Sequence, residues 1–236
     1  MINFNNKNIL VVVAHPDDEL LGLGGTLAYL AEQSFVKIRV LILGEGITSR
    51  SDSRDTKSWV KQLKKHQQNI KDAKKILGYH ELSFHQLPDN RFDDVNLLDI
   101  VKIIEKEKLE FEPDILFTHH GGDLNIDHQK VFEAVMVASR PINQDKLKAI
   151  LTFETPSSTE WQSSIDPRPF RPNFYVPLLK THIENKSLAM ECYQYEKRPL
   201  PHPRSPKALM VLAQNRGLAI GEKYAEAFCI VRMKLN

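Results

Sequence analysis

The chain has 236 residues, 42% of them hydrophobic and 26% charged, which excludes a disordered tail and a chain built mainly of membrane spans. Its 32 Lys and Arg face 30 Asp and Glu, a formal charge of +2, so no basic excess argues for nucleic acid or an anionic membrane as the main partner. Cys192 and Cys229 form no CxxC pair, which speaks against a disulfide scaffold and against a thiolate zinc knuckle. The start lacks a basic region followed by an apolar one, and no transmembrane run of 18 apolar residues occurs. The expectation is a soluble, cytoplasmic protein, with 1–236 forming one domain.

In chain order, Ile9 to Ala14 is continuous and β-branched, the pattern of a strand covered on both faces. Val36 to Leu43, Leu82 to Leu87, Asp114 to Thr118, Ala149 to Phe153 and Phe228 to Val231 read as further strands. Helical faces lie between them. Leu63, Ile70, Ala73 and Leu77 share one face of a segment closed by Gly78; Leu97, Val101 and Ile104 share a second; Val131, Val135 and Ala138 a third. Ser205-Pro206 supplies the cap and first residue of a last helix, with Gly217 as the expected residue just past its end. Ser157 to Pro177 carries four prolines and little periodicity, and is expected to be a loop or lid. The alternation of strand and helix predicts an α/β, Rossmann-like three-layer fold, a mostly parallel sheet with helices on both faces.

Ligands of such sheets sit at the carboxyl ends of the strands. His15-Pro16-Asp17-Asp18-Glu19 follows the first strand there, and His119 to His128 follows the fourth. Imidazole and carboxylate in two such loops suit Zn²⁺ bound by three protein groups, with one coordination position left for water. Spacing alone does not say which aspartate of the pair binds metal. Asp17 and Asp18 also fit a plain helix start, and Asp127 an ordinary N-cap. Gly22-Leu23-Gly24-Gly25 falls inside the following helix, not at its turn, which fits close packing and not a dinucleotide fingerprint.

Ala14-His15-Pro16-Asp17-Asp18-Glu19 together with Asp123-Leu124-Asn125-Ile126-Asp127-His128 resembles the LmbE-like (PIG-L) family of zinc-dependent N-acetylglucosamine deacetylases. Further stretches, among them Gly44 to Arg50, Ser157 to Trp161, His202-Pro203-Arg204-Ser205 and Ala225 to Phe228, resemble a bacterial branch of it. The resemblance implies His15, Asp18 and His128 as zinc ligands and Asp17 as general base. Many members have a histidine where this chain has Asn125, and an arginine where it has His66. Asn125 can donate a hydrogen bond but cannot deliver a proton near neutral pH. His202 is therefore expected as a substitute acid or sugar contact, and Arg50, Asn125 and His66 as substrate contacts.

The implied function is zinc-dependent removal of the N-acetyl group from an amino sugar, free or linked to a nucleotide or lipid, with the small-molecule sugar as partner. Two alternatives stand beside it: a metal-free sugar- or nucleotide-binding module on the same fold, and a zinc hydrolase of another amide or ester. Self-association as a homo-oligomer is left open.

Overall fold

A computed structural model describes residues 3–52, 54–142 and 145–234. Among these residues seven strands form one sheet: β1 (Asn8–Val13), β2 (Lys37–Gly44), β3 (Glu81–Leu87), β4 (Ile115–His119), β5 (Ala149–Phe153), β6 (Phe174–Pro177) and β7 (Ala225–Met233). Their order is β3-β2-β1-β4-β5-β7-β6. The first five pair in parallel; β7 runs antiparallel to β5 and to β6. Among the described residues six α-helices cover it: α1 (Asp18–Ala31), α2 (Val60–Leu77), α3 (Leu97–Phe111), α4 (Ile126–Ala138), α5 (Lys180–Cys192) and α6 (Pro206–Leu218).

The period of two in a strand explains the layering. Ile9, Val11 and Val13 enter a core shared with α1, α2, α5 and α6, while Leu10, Val12 and Ala14 enter a second core shared with α3 and α4. Each fully buried Ile, Val or Leu contributes roughly 1.5–3 kcal/mol of transfer free energy, so a strand buried on both faces has no polar alternation to show. The expected α/β architecture is the observed one. Strand order reverses between β2-β1 and β4, the switch point where open α/β sheets form a crevice.

Local chemistry sets the helix ends. Gly78 closes α2 at φ 76°, donating its N–H to the Lys74 carbonyl. Ser205 Oγ accepts the Ala208 N–H and caps α6. Gly217 is not the residue past that helix: it lies inside α6, where a Cβ would come within 2.6 Å of the Glu222 carbonyl oxygen. Gly22 does serve close packing, since a Cβ there would lie 2.2 Å from the Phe153 ring. The stretch 157–177 is a loop for most of its length, but its last four residues form the edge strand β6.

Helix α1 is broken at Leu23, whose φ is −147°. Glu226 of β7 repairs the break: its carboxylate accepts the Gly25 and Thr26 N–H groups at 3.0 and 2.7 Å. Lys186 of α5 donates to the Leu21 carbonyl at 2.8 Å and to Glu226 at 2.6 Å. Both ends of the interrupted ladder are thus satisfied by a buried ion pair.

Candidate active site

Pro16 leads the chain out of β1 into a turn at Asp17, which adopts the left-handed φ of 100°. That conformation is unfavourable for a residue with a Cβ and needs external support. Glu19 provides it: its carboxylate accepts the Asp17 N–H at 3.0 Å and the Tyr193 hydroxyl at 2.6 Å. Burial raises the Glu19 carboxyl to about 7, although the Tyr193 hydrogen bond opposes the shift. The turn also brings the Asp18 carboxylate back to accept the His15 N–H at 2.8 Å.

The loop from β4 to α4 meets it across the switch point. Asn125 caps α4, its side-chain oxygen accepting the Asp127 N–H at 2.8 Å. Asp127, an N-cap candidate by sequence, is instead turned inward. Its carboxylate accepts backbone N–H groups of Asn90 and Phe92 at 2.7 and 2.9 Å and reaches His15 Nε2 at 2.8 Å. Asp123 Oδ1 lies 3.0 Å from His128 Nδ1, and Asp123 also accepts the Ser158 hydroxyl and, at 2.6 Å, the Thr159 hydroxyl.

A carboxylate only accepts, so these two contacts set the tautomers. His15 donates from Nε2 to Asp127 and His128 donates from Nδ1 to Asp123. In the neutral rings, His15 Nδ1 and His128 Nε2 then carry lone pairs. Both point at Asp18 Oδ2, at 3.4 and 3.3 Å. With both rings neutral, three electron-pair donors face one another, and the space between them is filled either by protons on the imidazoles or by a metal cation. His15, Asp18 and His128 offer ligand atoms within 4.8 Å of one another. Two imidazoles and one carboxylate suit Zn²⁺, and carboxylates on the far imidazole nitrogens are the usual outer support. The donor set fits the metal.

His119 does not join this set. Its Nε2 already accepts the Ala14 N–H at 3.0 Å, and its ring stacks on His128 at 3.8 Å between centroids. His15 with Asp89 and Asp127 makes a second group of the same kind. Its carboxylates are filled by backbone donors, however: Asp127 as above and Asp89 by the Ser49 N–H at 2.9 Å. That group supports His15 from outside.

Electrostatics follow the geometry. Burial pushes the Asp18 carboxyl up, but the charges of His128 and His119 outweigh it and hold Asp18 well below the carboxylate range. Burial pushes the His128 imidazole down, yet Asp18 and Asp123 win and raise it to about 9. Burial pushes the Asp17 carboxyl well up, against the pull of the Arg204 guanidinium. An adjacent pair of aspartates is thus split into an easily ionised one and a basic one.

The crevice over this cluster has a volume of about 200 Å³, and His15, Asp17, Arg50, His66, Asn125 and Arg204 are among its lining residues. Five of the expected site residues are therefore brought to one cleft, above buried Asp18 and His128. His66 is only 1% exposed, and neither of its ring nitrogens has a hydrogen-bond partner among the described residues. Burial, then the Arg50 charge, lowers it to about 4, so it is neutral.

His202 is not among the cleft residues. Its Nδ1 accepts the Arg204 N–H at 3.1 Å, and its ring meets Trp161 edge-on. Arg204, two residues further on, takes the place expected of His202. It donates to Asp17 Oδ2 at 3.1 Å, to Glu196 at 2.9 Å and to Ser157 Oγ at 2.7 Å. Glu196 also holds Arg50, at 2.6 Å. Neither Arg204 nor Glu196 was singled out in the sequence. The available signal was a buried base needing a cation, and an arginine inside a proline-flanked stretch. A larger cavity of about 440 Å³, lined by Lys108, Arg140 and Asp145 among others, lies beside α3 and α4 and away from this chemistry.

The sheet and the buried His/Asp/His cluster at its switch point mark the chain as an α/β protein with a candidate metal centre. The profile of the PIG-L family, described as GlcNAc-PI de-N-acetylase, matches residues 10–139, from β1 through the end of α4. An uncharacterized deacetylase of Escherichia coli strain K12, YaiS, is 32% identical over 190 residues, covering 78% of this chain and 89% of the relative. The chain belongs to the PIG-L family of de-N-acetylases. Among solved structures, an N,N'-diacetylchitobiose deacetylase from Pyrococcus horikoshii superposes with a TM-score of 0.75 at 18% identity, covering 98% of this chain and 88% of that one. A 4-carboxy-2-hydroxymuconate hydratase from Pseudomonas putida KT2440 superposes with a TM-score of 0.73 at 20% identity, covering 98% of each. The two likenesses show the fold alone, and the fold carries more than one chemistry.

Proposed function

We propose that this protein is a zinc-dependent hydrolase that removes the acetyl group from an N-acetylated amino sugar. The observation that carries the reading is the convergence of His15 Nδ1, His128 Nε2 and Asp18 Oδ2, with the basic Asp17 carboxylate next in the chain. Family membership supports the amide as the bond broken.

His15, Asp18 and His128 would hold the zinc ion, which when bound acidifies water and polarises a carbonyl. The chain's own groups do the rest. Asp17 accepts the proton of the attacking water; its burial makes it a stronger base than a solvated carboxylate. The Arg204 N–H to Asp17 and the Glu19 contact to the Asp17 backbone fix that carboxylate in orientation. Once protonated, Asp17 is placed to return the proton to the departing sugar amine, so the reaction closes on acetate and a free amino sugar. The two unpartnered nitrogens of His66 fit sugar hydroxyls, one as donor and one as acceptor. The Asn125 side chain lies beside Asn90, whose side-chain oxygen accepts from it at 2.8 Å. His202 has no part in this scheme, because its ring is engaged outside the cleft.

The test is acetate release from a panel of free, nucleotide-linked and glycosidic N-acetyl sugars and of O-acetyl esters, with metal content measured on the same sample. The reading expects about one zinc per chain and turnover of N-acetyl sugars well above that of esters. Ester turnover in excess, or turnover that survives Asp18→Ala, would overturn it.

A further inference from the structure

Two arginines of the cleft converge on one acid of the same chain. Glu196 Oε1 accepts from Arg50 Nη2 at 2.6 Å, and Glu196 Oε2 accepts from Arg204 Nη1 at 2.9 Å. Arg50, Arg204 and Glu196 all line the cleft. A pair of guanidinium groups closing on the two oxygens of one carboxylate is the arrangement by which proteins hold a carboxylate, sulfate or phosphate. Here the anion is a side chain, so the site is built and already filled.

Glu196 is held where it stands. It is buried, and its N–H donates to the Tyr193 carbonyl at 2.9 Å. Tyr193 is itself fully buried, with its hydroxyl on Glu19. Arg50 also donates to the Tyr195 carbonyl at 2.9 Å, which ties the loop after β2 to the turn after α5. Arg204 is fixed in the same way by Asp17 and by Ser157 Oγ.

The rest of the lining adds no cation to replace these two. Among the described residues of the cleft there is no lysine, and Asp17 and Asp89 add further carboxylates. His66 offers two unpartnered ring nitrogens and no charge. A phosphate on a bound sugar could take both arginines only by pushing Glu196 aside, and that strands a buried carboxylate, which is strongly unfavourable. Hydroxyls meet no such opposition: carboxylate oxygens accept from them, and a neutral imidazole both donates and accepts.

We infer that Glu196 sets the charge specificity of the cleft: by occupying the arginine pair it restricts the site to N-acetyl sugars with no phosphate or carboxylate on the ring. The inference rests on the deacetylase reading for the reaction and adds which sugars enter. Removing the Glu196 charge frees both guanidinium groups for an anionic group of the substrate.

Two measurements test it. The first is kcat/KM of the zinc-loaded full chain for N-acetylglucosamine, its 1-phosphate and its 6-phosphate, in the parent and in Glu196→Gln. The parent should prefer the unphosphorylated sugar to both esters. In Glu196→Gln the ratio of phosphorylated to unphosphorylated kcat/KM should rise by about 10- to 100-fold for at least one ester, the worth of a charge-assisted hydrogen bond. An effect passed through Arg204 to Asp17 is common to all three sugars and cancels in the ratio. Glu196→Asp, which keeps the charge, should stay near the parent ratio, and Glu196→Ala serves if the glutamine variant does not fold. A parent that prefers a phosphorylated sugar, or a ratio that loss of the charge leaves unmoved, overturns the inference. The second measurement needs no turnover: calorimetric titration of the zinc-loaded protein with sodium sulfate at constant ionic strength. Sulfate should bind Glu196→Gln about 10-fold or more tightly than the parent, and adding Arg50→Met should remove most of the gain. Sulfate on the zinc ion is common to the three proteins and cancels. If sulfate follows this pattern and no acetate is released from any sugar, the deacetylase reading fails and the charge filter stands. If acetate is released and sulfate binds all three proteins alike, the filter fails and the reading stands.

Discussion

Two buried charge clusters lie along helix α1, one at its kink and one at its N-terminus, and they behave in opposite ways. Under its kink, the Glu226 carboxylate takes two backbone N–H groups and the Lys186 ammonium, and Lys186 takes the Leu21 carbonyl. Opposite charges and the freed backbone groups of the kink meet one another within the chain, and the cluster calls for no added ion. At the N-terminus of α1, His15 Nδ1 and His128 Nε2 face Asp18 Oδ2, with the far ring nitrogens already used by Asp127 and Asp123. That cluster needs something added to it, either a proton on each ring or a metal cation. Burial and charge are common to both, so neither marks function. What separates a structural ion pair from a reactive centre is whether the chain itself satisfies the valences.

The largest effect that sharpens this contrast is on rate. Asp17→Asn removes the base and keeps the ligands, so kcat should fall by about 10²- to 10⁴-fold with metal content unchanged. Activity and metal assays on one preparation read both. Next comes the cluster at the kink. Glu226→Ala strands Lys186 and the Gly25 and Thr26 N–H groups, and should cost about 3–5 kcal/mol in urea unfolding. The zinc bound per folded chain should not change.

A third prediction concerns His66. Its folded pKa of about 4 lies below the usual 6.5, so the unfolded chain binds more protons between those values. The stability this adds is present above pH 6.5 and is lost as pH falls toward 4, on the order of 3 kcal/mol in all. His66→Gln should flatten the unfolding free energy over that window. The smallest effect belongs to the outer support: Asp123→Asn weakens the hold on the His128 N–H and should cost about 10- to 100-fold in metal affinity, measured by competition with a chelator.

Much of the fold was legible because burial on both faces writes itself into the chain as unbroken β-branched runs, as at Ile9 to Ala14. Helix α5 carries no such mark. Its buried residues include His182 and Lys186 beside Ile183 and Met190, so the apolar face has no clean helical period. Strand β6 is four residues long, ends in Pro177 and pairs only with β7, and its proline-rich approach reads as loop. The same division holds in the site. His15, Asp17 and Asp18 lie in one turn and His128 opens a helix at a strand end, so local rules reach them. Arg204 acts on Asp17 across 187 positions, and only the docking of the segment before α6 reveals it. His202 and Arg204 sit on the same short stretch, and composition favours the histidine as an acid. Geometry gives the place beside Asp17 to the arginine.

The account stands or falls on the coordination of one cation, which X-ray absorption at the zinc edge reads directly on the loaded protein. It predicts one zinc per chain with a nitrogen and oxygen shell near 2.0–2.1 Å, two imidazole scattering signatures, and loss of that shell in His128→Ala. Zinc surrounded by oxygen alone, or an imidazole signal that survives His128→Ala intact, would contradict it.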